Sequence, residues 1–158
     1  MCKEHHEYIR QAVDMAAENV GTGLGGPFGA LIVKDGKIIG RGVNRVTSIK
    51  DPTAHAEVMA IRDACRQIDD YRLEGAVIYT SCEPCPMCLS AIYWARLDGI
   101  YFAAYHSDAA KAGFDDSFIY NEIPLPFEKR AIPIRQIMHE DPFKPFSTWI
   151  DMENKIKY

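Results

Sequence analysis

Two short segments of this sequence carry side chains suited to metal chemistry. One is His55-Ala56-Glu57, and the other is Pro84-Cys85-Pro86-Met87-Cys88. A catalytic zinc ion takes three protein ligands and keeps a fourth position for water. One imidazole and two thiolates fill the three places. Cys85 and Cys88 stand three residues apart, so on one helical turn both sulfurs reach the same ion. Pro86 suits the first turn of a helix, and the N-terminus of that helix favours thiolate. His55 stands at the start of another predicted helix. Glu57, two residues on, would face away from His55 in mid-helix, but in the first turn it can lean toward water on the metal. Zinc lowers the pKa of such a water to about 7. A carboxylate beside it can take that proton and pass it to a departing nitrogen.

Taken alone, each piece has a plainer explanation. A helical histidine can be packed or exposed, a Cys-x-x-Cys pair can be structural or redox-active, and a first-turn glutamate can simply oppose the helix dipole. The combination, in this order and at two helix starts, favours an open metal site. Cys82 complicates it, because Cys82 and Cys85 also form Cys-x-x-Cys. Four ligands would close the site and make it structural. Cys82 precedes Glu83-Pro84 at the end of a strand, outside the helical turn, so it is expected to be a bystander.

The elements around these segments follow from periodicity. Ile9, Val13, Ala16 and Val20 recur at helical spacing over residues 5–20. Residues 21–27, rich in glycine, stop that helix and match no phosphate-binding loop. Phe28 to Val33 and Lys37 to Val43 flank Asp35-Gly36, a hairpin signal. A second helix carries Ala54, Val58, Ile61, Cys65 and Ile68 on one face. Ala76 to Thr80 is a strand, Pro86 begins a third helix, and Ile100 to Tyr105 is another strand. Strand-helix-strand order predicts parallel crossovers beside the antiparallel hairpin, hence a mixed sheet covered by helices. After Tyr105, five prolines break the pattern until a last amphipathic stretch from Phe146 to Ile156.

The chain has 158 residues, an expected single domain spanning 1–158. Its net charge is -4, which offers no pull toward nucleic acid or anionic membrane. No apolar run reaches the roughly 18 residues of a membrane span, and the charged N-terminus does not read as a signal peptide. The cysteines are odd in number and clustered, unlike a disulfide framework, so a cytoplasmic location is expected.

His-x-Glu followed by Pro-Cys-x-x-Cys marks the zinc deaminases. The sequence resembles the cytidine deaminase superfamily, and within it the small bacterial guanine deaminases. The resemblance covers nearly the whole chain. It includes Gly-Gly-Pro-Phe-Gly-Ala at 25–30, Asp51-Pro52-Thr53-Ala54-His55-Ala56-Glu57, Thr80 through Cys88, Ala91 through Arg96, Ala112 through Tyr120, and Tyr158. It implies an α/β fold, three-layer α/β/α with a mixed five-stranded sheet. It also implies a homodimer whose C-terminal segment, about residues 139–158, is domain-swapped over the partner's active site. His55, Cys85 and Cys88 would hold one Zn2+ per chain, with Glu57 as proton shuttle. Asn44, Asp116 and Tyr158 would contact the purine base, and Phe28 and Trp94 would wall the pocket. The implied reaction is hydrolysis of guanine to xanthine and ammonia. Alternatives are guanosine, cytosine or cytidine, adenosine in tRNA, or a zinc-stabilised interaction module without catalysis.

Overall fold

The computed structural model describes residues 2–157. It divides into two compact units, Met1–Tyr120 and Asn121–Tyr158. The first unit opens on α1 (Cys2–Thr22), followed by a hairpin of β1 (Gly29–Lys34) and β2 (Lys37–Val43). Asp35 and Gly36 both adopt positive φ, 50° and 71°, as a two-residue type I′ turn requires. A short α2 (Val46–Ile49) precedes α3 (Ala56–Ile68). Then come β3 (Ala76–Cys82), α4 (Pro86–Trp94), β4 (Gly99–Ala104), α5 (His106–Lys111) and α6 (Ser117–Glu122).

The strands form one mixed sheet in the order β2-β1-β3-β4. β1 is antiparallel to both β2 and β3, and β3 is parallel to β4. β2 and β3 therefore run the same way with β1 between them, and α3 carries the chain across. Of the two expected crossovers, only the one through α4 joins adjacent parallel strands. The sheet has four strands among the described residues, where five were expected. Residues 133–139, which follow the last short helical turn (Phe127–Lys129), run without regular structure.

Alternation along the strands builds the layers. Leu31, Val33 and Tyr79 face α1 and pack with Ala12. Ala30, Ile32, Ala76 and Ile78 face the other side, against Ala56, Ala60 and Ala64 of α3 and Ile92 of α4. The result is helix, sheet, helix. The α3 contact is unusually close. A Cβ at Gly42 would overlap the Ala56 carbonyl, and one at Gly40 would crowd Ala60 and Ala64. Glycine on β2 and alanine on α3 thus let the helix lie directly on the sheet, which sets the height of His55 and Glu57.

The second unit holds a 3-10 turn and α7 (Lys144–Asp151). That helix was expected over 146–156 and ends earlier. Lys155 Nζ folds back to donate to the Ile150 and Met152 carbonyls, which a continuing helix would have used. Among the described residues, no helix is long and apolar enough to cross a membrane.

Candidate active site

Two helix N-termini build the metal-ligating group. His55 is the N-cap of α3 and Cys85 the N-cap of α4, both with extended backbone. Pro86 follows at the first helical position, and Cys88 lies in the same turn. His55 Nδ1 is 3.6 Å from Cys85 Sγ and 3.5 Å from Cys88 Sγ. One ligand atom from each residue lies within 4.8 Å of the others. Zinc bonds of about 2.3 Å to sulfur and about 2.0 Å to nitrogen, at tetrahedral angles, span about 3.5 Å between ligand atoms. The observed N–S edges match that span, so the group fits a zinc ion with a position left open.

The electrostatics of the three side chains agree. The Cys88 side chain and the His55 imidazole beside it lower the Cys85 thiol to about 4 despite burial. The same Cys85 sulfur, aided by burial, pushes Cys88 upward. Cys85 also raises His55. These shifts favour thiolate at Cys85 and the protonated forms of Cys88 and His55. A divalent cation must displace those protons, so its binding strengthens as pH rises.

Glu57 sits in the first turn of α3 and is only 6% exposed. Its Oε2 accepts from Cys88 Sγ at 3.4 Å. Burial raises its pKa above the ordinary carboxylate value. A carboxyl poised in this way, touching the ligand group, is suited to carrying protons.

One cavity of about 460 Å³ joins most of the residues singled out from the sequence: Phe28, Asn44, His55, Glu57, Cys85 and Asp116. Asn44 follows the end of β2. Its Oδ1 accepts from the backbone N–H of Gly26 and of Val46, each at 3.2 Å. The oxygen is thus committed, and the amide nitrogen remains to donate. Asp116 is the opposite case. Its Oδ1 is buried with no hydrogen-bond partner among the described residues. The His106 imidazole stands beside it, with Nδ1 3.8 Å away, beyond hydrogen-bond distance. Burial raises the pKa of Asp116. A buried acceptor without a donor is costly unless a ligand supplies one. Asp115 Oδ1 accepts from Ser117 N–H at 2.9 Å, a turn that holds the backbone on both sides of Asp116.

Trp94 is not brought into this cavity. It lies at the far end of α4, roughly 13 Å along the helix from Cys85, and is 69% exposed. Tyr158 lies outside the described residues. Phe114 takes the wall position instead, edge-on to Phe28 with ring centroids 5.0 Å apart. It falls within the Gly-Phe-Asp-Asp-Ser-Phe stretch, but no periodicity marks a loop aromatic as a wall. Glu83 and His106 also line the cavity and were not anticipated. Their joining contact, the His106 N–H to Glu83 Oε2 at 3.1 Å, links residues far apart in sequence.

Cys82 ends β3 and lines the cavity, yet it is not one of the metal-ligating group. Its Sγ instead meets the Tyr105 carbonyl at 3.7 Å. Burial pushes its thiol up to about 11, so thiolate is disfavoured. Cys82→Ala is therefore expected to retain one zinc per chain by metal analysis, and to retain turnover. Loss of zinc would instead show a closed, four-ligand site.

Residues 2–104 match the family model for the cytidine and deoxycytidylate deaminase zinc-binding region. The chain belongs to this deaminase family. His55, Glu57, Cys85 and Cys88 fall inside the matched region, whereas Asp116 lies beyond it. Within this deaminase family, the chain is 55% identical over 154 residues to the guanine deaminase of Bacillus subtilis (strain 168), covering 98% of this chain and 99% of that protein. An X-ray structure of guanine deaminase from Bacillus subtilis matches with a TM-score of 0.96, covering 98% of each chain. A guanine deaminase from Nitrosomonas europaea matches at 29% identity and a TM-score of 0.66, covering 69% of this chain and 63% of that one. A tRNA-specific adenosine deaminase of Aquifex aeolicus is 47% identical, over 49% of this chain and 52% of that protein. The similarity to guanine deaminase from Bacillus subtilis thus extends through the second unit, beyond the segment shared with the tRNA enzyme.

Proposed function

We propose that the protein hydrolyses guanine to xanthine and ammonia. The observation that carries this reading is the pairing of a committed donor, Asn44, with a buried unpartnered acceptor, Asp116, in the cavity that holds the metal-ligating group. Guanine presents both kinds of partner. Its ring N–H groups suit the Asp116 carboxylate, and its carbonyl and ring nitrogens suit the Asn44 amide. A site built for those hydrogen bonds discriminates against bases that leave them unmade. The full-length similarity to a guanine deaminase supports the same substrate.

His55, Cys85 and Cys88 would hold zinc, which when bound supplies a water acidic enough to act as nucleophile at neutral pH. Phe28 and Phe114, packed edge-to-face on each other, would give the flat ring an apolar wall and exclude solvent. Asn44 and Asp116 orient it. Glu57 takes one proton from the attacking water and delivers it to a ring nitrogen, then takes the second proton from the added hydroxyl and gives it to the leaving amine, so the new C–O bond becomes a carbonyl. A C–O bond forms at the ring carbon, the C–N bond to the exocyclic amine breaks, and water and guanine become xanthine and ammonia.

The reading extends to assembly as a homodimer with an exchanged C-terminal segment, in the cytoplasm. Support comes from apolar side chains that each unit leaves exposed. Tyr93 (76%), Trp94 and Tyr105 are exposed in the first unit, and Ile137 (85%) and Met138 in the second. Apolar surface of that kind marks an interaction site. Tyr158 would then contact the base from the partner.

The test is steady-state turnover of zinc-loaded protein on guanine, guanosine, cytosine, cytidine, adenine and an RNA hairpin. Xanthine from guanine is the expected dominant product, and the protein should sediment at twice the chain mass. Asp116→Asn should raise KM for guanine by about tenfold to a hundredfold, as loss of a charged hydrogen bond does. Preferred turnover of any other substrate would overturn the assignment. The net charge of -4 and the partial coverage by tRNA deaminases favour the free base over RNA.

A further inference from the structure

Asn19 lies in the last turn and a half of α1, on the sheet face opposite α3, and is only 3% exposed. It is not among the residues lining the cavity. Every polar atom of its side chain is nonetheless engaged. Its Nδ2 donates to the Gly26 carbonyl at 2.9 Å and to the Asn44 carbonyl at 3.0 Å. Its Oδ1 accepts from Arg45 Nη1 at 2.9 Å. Gly26 and Asn44 are themselves joined, since Gly26 N–H donates to Asn44 Oδ1. The neighbouring contact is closer still, because a Cβ at Gly25 would overlap the Asn44 carbonyl. Asn19 thus ties both segments of this contact, the Gly26 loop and the Asn44 turn, to a long helix.

The arrangement decides which way the Asn44 amide faces. Its oxygen is held because Gly26 and Val46 present their N–H groups to it. Gly26 belongs to a glycine-rich loop with little stiffness of its own. Asn19 grips the Gly26 carbonyl and so holds the peptide that follows α1. Arg45 holds Asn19 in the rotamer that points both N–H donors at the two carbonyls. We infer that Asn19, oriented by Arg45, is a positioning residue that fixes Asn44 as a hydrogen-bond donor to the bound base. The inference rests on the proposed reading of Asn44 as a base contact. Supporting groups that lock a contact residue commonly matter this much, because a misplacement of about 1 Å can cost about a hundredfold.

The test is a double-mutant cycle between Asn19 and Asn44, read on zinc-loaded protein by guanine kinetics and by the Kd for xanthine. Asn19→Ala is expected to raise KM and the xanthine Kd together by about tenfold or more, with kcat within about threefold and zinc content unchanged. In an Asn44→Ala background, Asn19→Ala should add less than about threefold, because its partner is gone. Arg45→Met, which removes only the grip on Asn19 Oδ1, should show a weaker effect in the same direction. It serves as the second variant if Asn19→Ala folds poorly. Full multiplicative effects of Asn19→Ala and Asn44→Ala would overturn the inference, as would a fall in kcat at constant KM or a loss of zinc. If Asn44→Ala itself leaves KM and the xanthine Kd unchanged, the base-contact reading falls first and the inference with it.

Discussion

Glu57→Gln is expected to lower kcat on guanine by about a thousandfold while leaving zinc content and fold intact. The substitution keeps the size of the side chain and its place in the first turn of α3. It removes the property on which the proposed mechanism relies, the ability to take up and release a proton. Glu57 is buried and touches Cys88, and burial already raises its pKa. A carboxyl so placed costs stability when charged, so a neutral amide is expected to match or raise the melting temperature. Lower kcat with equal or higher Tm would separate a chemical role from a structural one. A kcat within tenfold of the parent would show that protons travel by another route.

Cys85→Ala is expected to abolish both zinc retention and turnover. Cys85 is the group most ready to bind a cation, with its thiol lowered to about 4. Its removal leaves His55 and Cys88, two ligands where a catalytic zinc needs three. Metal analysis after gel filtration should find less than a tenth of the parent zinc, with xanthine production below detection. The loss is expected to exceed that of Glu57→Gln, since the nucleophile itself depends on the metal. Full zinc in this variant would place the third ligand elsewhere, Cys82 being the neighbour to try.

Much of the site was legible because its residues are local in sequence. His55 with Glu57, and Cys85 with Cys88, sit in single helical turns, so spacing places each pair together, while the joining of the two pairs at one metal is what the resemblance to zinc deaminases implies. The structure adds that both turns begin on an N-cap. The hairpin at Asp35-Gly36 was legible for the same reason, and its strands fall within a residue of the expected bounds. Contacts between distant segments were not legible from spacing. The antiparallel pairing of β1 with β3 depends on which edge β3 meets, and no periodicity encodes that. Phe114 against Phe28 joins two loops with no repeating pattern, and Asn19 reaches from α1 to two loop carbonyls that no periodicity marks. The short helices α5 and α6 were missed because six residues are too few to show a period. Trp94 was assigned to the pocket by resemblance, although nine residues of helix carry it away from Cys85.

The glycines of β2 beneath α3 have a consequence for how this protein tolerates change. Gly40 and Gly42 carry no chemistry, and the helix above them begins at the zinc-facing turn. A methyl group added to either would lift α3 as a lever, and His55 and Glu57 would travel together. The ligand and the acid would keep their mutual spacing while losing their alignment with Cys85 and Cys88, which belong to another helix. Damage deep under the sheet would thus register as weakened metal affinity well before the fold failed. Part of what adjusts this catalyst is a thickness, written in residues that never meet the substrate.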